Sequence, residues 1–374
     1  MRSLVGKWSY QLYVGVGMLL VLLTVIFTLS PQAVTSLHTS LFVLQVLHAP
    51  VSPQPWVTGA PVRQRVTYPR PDGQGMGDIY RIPDDGQRAA VLIFLGANAA
   101  GQDDPDVVNL GHALARTGYA VMFHWSPTMG QRANIDEAEV ENLVWAFRYL
   151  LEQDFVDKER VGLGGFSVGA SFALVAAADS GIRDEVVFVN SFGGYYSARD
   201  LFLQIASRSR FYEEQQETWE VDRLTWQVFA NELLEGLESP AEREILTRHF
   251  IEKESVAAED LHGLSEQGQA VNQLLIGTTL EQAGVLYEDL SPQFRKQIEY
   301  ISPSAHVKDL ESRLMIMHDD GDLLIPVVES RRLAEALGHR GNFRYTETKI
   351  FDHVRPGSSE GLWGLAQEAF KLYR

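Results

Sequence analysis

The sequence predicts an α/β fold: a mostly parallel central sheet flanked by helices, with a helical cap inserted late in the chain. Three observations carry this. Short apolar runs suited to buried strands alternate with amphipathic helical stretches from Val62 onward. One of those runs, Val161 to Gly164, leads through Gly165-Phe166-Ser167-Val168-Gly169 into the small, apolar run Ala170 to Ala178, which reads as strand, sharp turn and buried helix. Finally, Arg199 to Tyr300 breaks the alternation with about a hundred residues of helical character and no convincing apolar strand.

Taken in order, the first stretch is the N-terminal one. From Trp8 to Val62 there is no charged residue, and Gln11 to Leu29 is almost wholly apolar. About 20 apolar helical residues span a bilayer core. Trp8, Tyr10 and Tyr13 sit where an aromatic belt would lie, with Arg2 and Lys7 on the N-terminal side. Residues 1–30 therefore read as an uncleaved, single-pass membrane anchor. The alternative is a cleaved signal peptide, for which the run is long and no A-x-A-like site follows closely. The positive-inside bias places the following domain outside the cytoplasm. Leu37 to Leu47 is a second apolar patch, too short to span comfortably. It is expected to lie in the interface or to join the soluble part as a strand or helix; spanning as a hairpin would instead return the domain to the cytoplasmic side. Pro50 to Pro61 completes the juxtamembrane segment 31–61 as a proline-rich, extended linker.

The body, 62–374, follows. Strands are expected at Val62 to Tyr68, Asp78 to Ile82, Ala89 to Leu95, Ala120 to His124, Glu185 to Phe192, Arg313 to His318 and Asn342 to Ile350. Asp84-Asp85-Gly86 signals a turn. Helices are expected at Pro105 to Thr117, Asp136 to Gln153, Glu329 to Leu337 and Ser358 to Tyr373. The continuous apolar run Ala89 to Leu95 suits a central strand covered on both faces. The insertion 199–300 carries 20 acidic and 9 basic residues, so it holds −11 of the chain's net −17.

Composition narrows the chemistry. The 374-residue chain is 45% hydrophobic, enough for a sizeable core, and its net charge of −17 argues against nucleic acid as a partner. Cysteine is absent, which excludes disulfides, a thiolate nucleophile and cysteine metal sites. No nucleotide loop or metal-ligand spacing is visible, so no cofactor and no metal are expected.

The G-x-S-x-G turn is where chemistry is expected. Glycines on both sides let a strained turn lift Ser167 clear of the backbone, at the N-terminus of a helix whose free N–H groups favour a developing oxyanion. The residues around Ser167 resemble the α/β-hydrolase superfamily, especially its dienelactone hydrolase-like and acyl-esterase members. The resemblance covers roughly Val62 to Arg374. It implies a chain order of serine, acid, histidine, with Ser167 as nucleophile. His318-Asp319-Asp320-Gly321-Asp322-Leu323-Leu324-Ile325-Pro326 looks like that superfamily's H-G-x-x-D-x-x-V-P turn, with Asp319 in place of the glycine. This alignment puts Asp322 on the acid, with Asp319 and Asp320 as alternatives. The bland reading of the turn is helix-capping or calcium-like. Of the ten histidines only His339 and His353 follow Asp322. His339 precedes the last strand and so falls on the opposite sheet edge; His353 follows it.

The resemblance also implies an oxyanion hole from the Val168 N–H and one donor in the loop after the third strand. Ala97 in Gly96-Ala97-Asn98 matches by position, although the H-G-G-like stretch is missing and an ordinary strand-to-helix loop fits as well. The implied function is a membrane-anchored serine esterase acting on a small-molecule or lipid acyl substrate. Amide or peptide cleavage and acyl transfer use the same constellation. A catalytically silent, membrane-tethered binding protein is the alternative of a different class. The superfamily's dienelactone hydrolases proper use cysteine, so that activity is not implied.

Overall fold

The computed structural model describes residues 31–46, 53–97, 101–338, 340–349, 351–353 and 355–356. Twelve strands lie among them: β1 Val62–Arg70, β2 Gly73–Arg81, β3 Arg88–Phe94, β4 Ala120–Trp125, β5 Val156–Phe166, β6 Phe188–Phe192, β7 Ser209–Tyr212, β8 Gln215–Thr218, β9 Arg313–Asp319, β10 Phe343–Thr348, β11 Phe351–Asp352 and β12 Arg355–Pro356. Eight of these form one sheet in the order β1-β2-β4-β3-β5-β6-β9-β10. β2 runs antiparallel to both of its neighbours. From β4 to β10 every pairing is parallel. A mostly parallel sheet with helices on its faces is the α/β-hydrolase fold expected above.

The central strands are buried as parallel strands covered on both faces must be. Leu92, Val121, Met122, Phe123, Val161 and Leu163 are all fully or almost fully enclosed. The helix after the serine turn, Val168–Ala177, is buried from Gly169 to Ala177. Its alanines let its backbone lie close on the sheet, where larger side chains would hold it off. The long helix Ala138–Leu151 packs its apolar side, including Val140, Leu143, Phe147 and Leu150, against the same layer.

The structure refines several expectations. Of the patch Leu37 to Leu47, residues 37–46 belong to a helix, Pro31–Val46, with Leu41 and Val43 buried and the Gln45 amide donating to Asn109 Oδ1 at 3.1 Å; Leu47 lies outside the described residues. The stretch Pro50 to Pro61 is not a plain extended linker. Gln54–Val57 forms a helical turn, and the buried Gln54 amide donates to the Ala113 carbonyl, tying the segment to helix Pro105–Arg116. A short helix, Pro127–Arg132, stands where none was expected; Ser126 caps it by accepting the Met129 N–H. The insertion is mainly helical, yet it includes the β7–β8 hairpin. Gln11 to Leu29, His339 and Ser358 to Tyr373 lie outside the described residues. Among the described residues no helix is long and apolar enough to cross a membrane.

Candidate active site

Parallel strands deliver their C-terminal ends to one edge of the sheet, and ligands of open α/β sheets bind outside that edge. β3, β5, β9 and β10 run the same way, so Ala97, Ser167, Asp322 and His353, which follow them, all emerge there.

Ser167 has φ 56° and ψ −137°, a strained conformation for a residue with a side chain. Its N–H donates to the Phe192 carbonyl at 2.8 Å, which pins the turn to β6. The flanking glycines are required by contact distances. A Cβ at Gly165 would lie 2.2 Å from the Gly169 carbonyl oxygen, and one at Gly169 would lie 2.3 Å from the Phe94 carbonyl oxygen. Gly96, at φ +66°, touches the same turn: a Cβ there would lie 2.5 Å from the Gly169 nitrogen. The end of β3 and the serine turn are thus packed backbone to backbone, which fixes Ala97 beside Val168.

Asp322 is 1% exposed and accepts three hydrogen bonds, with His318 close by. Its Oδ1 takes the N–H groups of Leu324 at 2.8 Å and Ile325 at 3.0 Å. Its Oδ2 takes His353 Nδ1 at 2.5 Å and meets His318 Nε2 at 3.2 Å. Burial by itself would raise this carboxyl's pKa. The hydrogen bonds and charges of His318 and His353 outweigh it and hold the group well below the usual carboxylate range. An ionised carboxylate only accepts, so the proton of neutral His353 sits on Nδ1 and Nε2 carries the lone pair. That Nε2 is buried and has no hydrogen-bond partner among the described residues.

The three aspartates of the turn separate cleanly. Asp319 accepts the Gly321 and Phe351 N–H groups, each at 3.0 Å, and the Thr348 hydroxyl at 3.2 Å. It ties the end of β10 to the start of β11, the strand that His353 follows. Asp320 pairs with Arg331 at 3.2 Å and Lys349 at 3.6 Å. Of the three, Asp322 is the one in contact with His353.

Ser167, Val168 and Ala97 border one cavity of about 100 Å³. Cap helix Arg223–Glu235 supplies one wall, and Ile298 and Ile301 close another. Tyr195, also in the wall, gives its hydroxyl proton to the Ile301 carbonyl at 3.1 Å. The lining is mostly apolar, so a substrate that displaces water from it would strengthen electrostatic contacts inside.

Two neighbours of this site were not singled out from the sequence. His318 receives Ser330 Oγ at Nδ1 at 2.7 Å, while its Nε2–H points to the Ile325 carbonyl at 2.9 Å and to Asp322. It meets the same Asp322 oxygen, Oδ2, as His353 does and so helps to hold the acid in place. Its place at the head of the H-x-x-x-D turn was the available signal. Glu232 lies in the cavity wall on an otherwise apolar helix face, which the insertion's abundance of acidic residues concealed.

No family model and no curated protein matches this chain. Solved structures do resemble it. An acylaminoacyl peptidase from Pyrococcus horikoshii aligns at TM-score 0.48 and 13% identity over 84% of this chain and 40% of its own. A Mycobacterium tuberculosis puromycin-hydrolysing peptidase aligns at TM-score 0.46 and 15% identity over 83% of this chain and 37% of its own. A Pyrobaculum calidifontis esterase aligns at TM-score 0.45 and 14% identity over 94% of this chain and 97% of its own. This chain therefore spans about two fifths of the length of the two peptidases and nearly all of the esterase. The strand order and the strained serine turn are those of the α/β-hydrolase fold.

Proposed function

We propose that this chain is a serine hydrolase that cleaves a carboxylic ester with a short acyl group. One observation carries the reading: a buried histidine, held at Nδ1 by a buried aspartate, leaves Nε2 unpartnered at the sheet edge where a strained serine also emerges. In this reading His353 Nε2 takes the Ser167 proton as the serine oxygen attacks the acyl carbonyl. Asp322 holds the imidazole in the right tautomer and stabilises its charged form. The Val168 and Ala97 N–H groups take the oxyanion, the helix N-terminus adding its dipole. His353 then gives its proton to the departing alcohol, and water releases the acyl group by the reverse sequence.

Esters are favoured over amides because they need less help at the leaving group. The cavity favours a short acyl group, since its volume of about 100 Å³ falls below the roughly 300–1,000 Å³ of pockets that hold drug-sized ligands. Rates on p-nitrophenyl esters of graded acyl length, beside the matching p-nitroanilides, test this. The highest kcat/KM is expected on short esters. Anilides turned over as well as the esters would move the assignment to an amidase or peptidase.

We further propose that Gln11 to Leu29 anchors the chain in a membrane, with the hydrolase body on the non-cytoplasmic side. The uncharged, 19-residue apolar run supports this. Extraction of the full chain by alkaline carbonate would count against anchoring, and protease protection in sealed vesicles reads the side.

A further inference from the structure

The cap helix Arg223–Glu235 turns Leu224, Thr225, Val228, Phe229 and Glu232 toward the cavity. These recur at helical spacing, so Glu232 occupies a position that the helix's own pattern would fill with an apolar residue. Local rules broken without structural gain mark functional positions. The Glu232 carboxyl has one fixed donor, the Ile135 N–H on Oε1. Among the described residues it has no ion pair with a lysine, arginine or histidine. The charged groups that act on it are Glu235 and Asp136, both acidic. Glu235 is itself engaged by the Asn134 amide. The cavity that Ser167 borders therefore presents a carboxyl in an apolar wall, with negative neighbours and, among the described residues, no counter-charge.

We propose that the acyl pocket selects substrates whose acyl part carries a protonated amine, with Glu232 as the counter-charge. This rests on the serine hydrolase reading and names the substrate class for the same site. An ammonium group supplies what the wall lacks: a charge of opposite sign and up to three hydrogen-bond donors, of which Oε1 and Oε2 can take two. The acidic insertion, net −11, draws cations toward the same opening. Burial first, then the repulsion of Glu235 and Asp136, with the Ile135 N–H opposing, push the carboxyl's pKa up to about 8 in the empty pocket. A neutral alkyl acyl group leaves it so; an arriving ammonium favours the ionised form and gains a close charged partner. The small volume limits the amine to a short chain.

The test compares p-nitrophenyl esters of three acyl groups with equal numbers of heavy atoms: 3-aminopropanoyl, 3-hydroxypropanoyl and butanoyl. Wild type and Glu232→Gln are measured at pH 7, with fluorophosphonate labelling of Ser167 as the check on a working site. The expected kcat/KM favours the aminoacyl ester over butanoyl by at least about tenfold. Glu232→Gln is expected to lose that preference, its aminoacyl-to-butanoyl ratio falling to about one while Ser167 still labels. A wild-type preference for butanoyl, or a preference that survives Glu232→Gln, overturns the proposal. Equal gains for the amino and hydroxyl esters also overturn it, because a neutral hydrogen bond would then account for them. If Ser167 neither labels nor turns over any ester, the hydrolase reading itself fails, and the selectivity proposal falls with it.

Discussion

Among the described residues, His124 and His353 are each hydrogen-bonded to a buried carboxylate, and they differ in what the second ring nitrogen does. His124, at the end of β4, meets Glu139 Oε2 through Nε2 at 2.6 Å and the Tyr68 hydroxyl through Nδ1 at 2.6 Å. Glu139 also accepts the Asn142 amide at 3.1 Å. Tyr68, His124 and Glu139 are nearly fully enclosed. Burial raises the tyrosine's pKa, with the charge of Glu139 adding to it, so its proton stays in place. Both nitrogens of His124 are occupied: the network is closed. His353 has the same carboxylate contact at nearly the same distance, yet its second nitrogen is unengaged. Burial and a carboxylate partner are therefore not what distinguishes a catalytic histidine. What sets His353 apart is an unused nitrogen at the edge of the sheet where Ser167 also emerges, which is what the proposed mechanism needs. Saturated networks make a core specific; unsaturated ones leave a group available to substrate.

The sharpest way to break this comparison is to delete each imidazole. His353→Ala should lower ester hydrolysis by about a thousandfold or more. It should change stability little, because Asp322 keeps His318 and two backbone donors. His124→Ala should do the opposite. It strands the buried Tyr68 hydroxyl and Glu139 carboxylate and should cost about 3–5 kcal/mol of unfolding free energy. Molecules that remain folded should still label at Ser167. Urea unfolding beside activity measures both, and a His124→Ala protein that is stable but inactive would contradict the division.

A smaller effect sharpens it further. Burial would raise the Glu139 pKa, but hydrogen bonds and charge from His124, with help from Ser126 and Asn142, bring it below its ordinary value. A carboxyl depressed in the fold stabilises above its unfolded pKa of about 4.3 and loses that contribution as pH falls through the folded value. Glu139→Gln should cost about 1–3 kcal/mol at pH 7. Its deficit against wild type should shrink as pH falls below about 4. Melting temperatures from pH 3 to 7 test this, and a deficit that does not vary with pH would place the effect in packing.

A second pH effect has the opposite sign. With Glu232 at about 8 in the fold and about 4.3 unfolded, the folded state binds more protons between those values, so its contribution falls as pH rises through them. Glu232→Gln should therefore melt progressively higher than wild type from pH 5 to 8. A constant difference across that range would show that the carboxyl titrates normally.

The sequence made the centre of the sheet legible because β3, β4, β6 and β9 are short, largely apolar runs, and parallel burial leaves no polar face to blur them. Ser167 was legible because two glycines bracket it for steric reasons now visible at 2.2–2.3 Å. Asp322 and His353 followed from chain order, and the 2.5 Å contact brings them together. What stayed hidden depends on tertiary contact. β7 and β8 are short, with β8 fully exposed and polar, so no period-2 apolar pattern announced them. Gln54 looked like linker until its amide met a helix 59 residues away. His124 and Glu139 lie fifteen residues apart on a strand and a helix, a spacing with no local meaning. Glu232 was one of twenty acids in an insertion whose charges are mostly solvated.

The central claim is that Ser167 is activated by His353. Labelling the folded protein with a fluorophosphonate probe, followed by peptide mapping, tests it directly. Wild type should carry the adduct on Ser167, His124→Ala should carry it in proportion to its folded fraction, and Ser167→Ala and His353→Ala should carry none. Labelling of His353→Ala at the wild-type rate, or an adduct on another residue, would contradict the account.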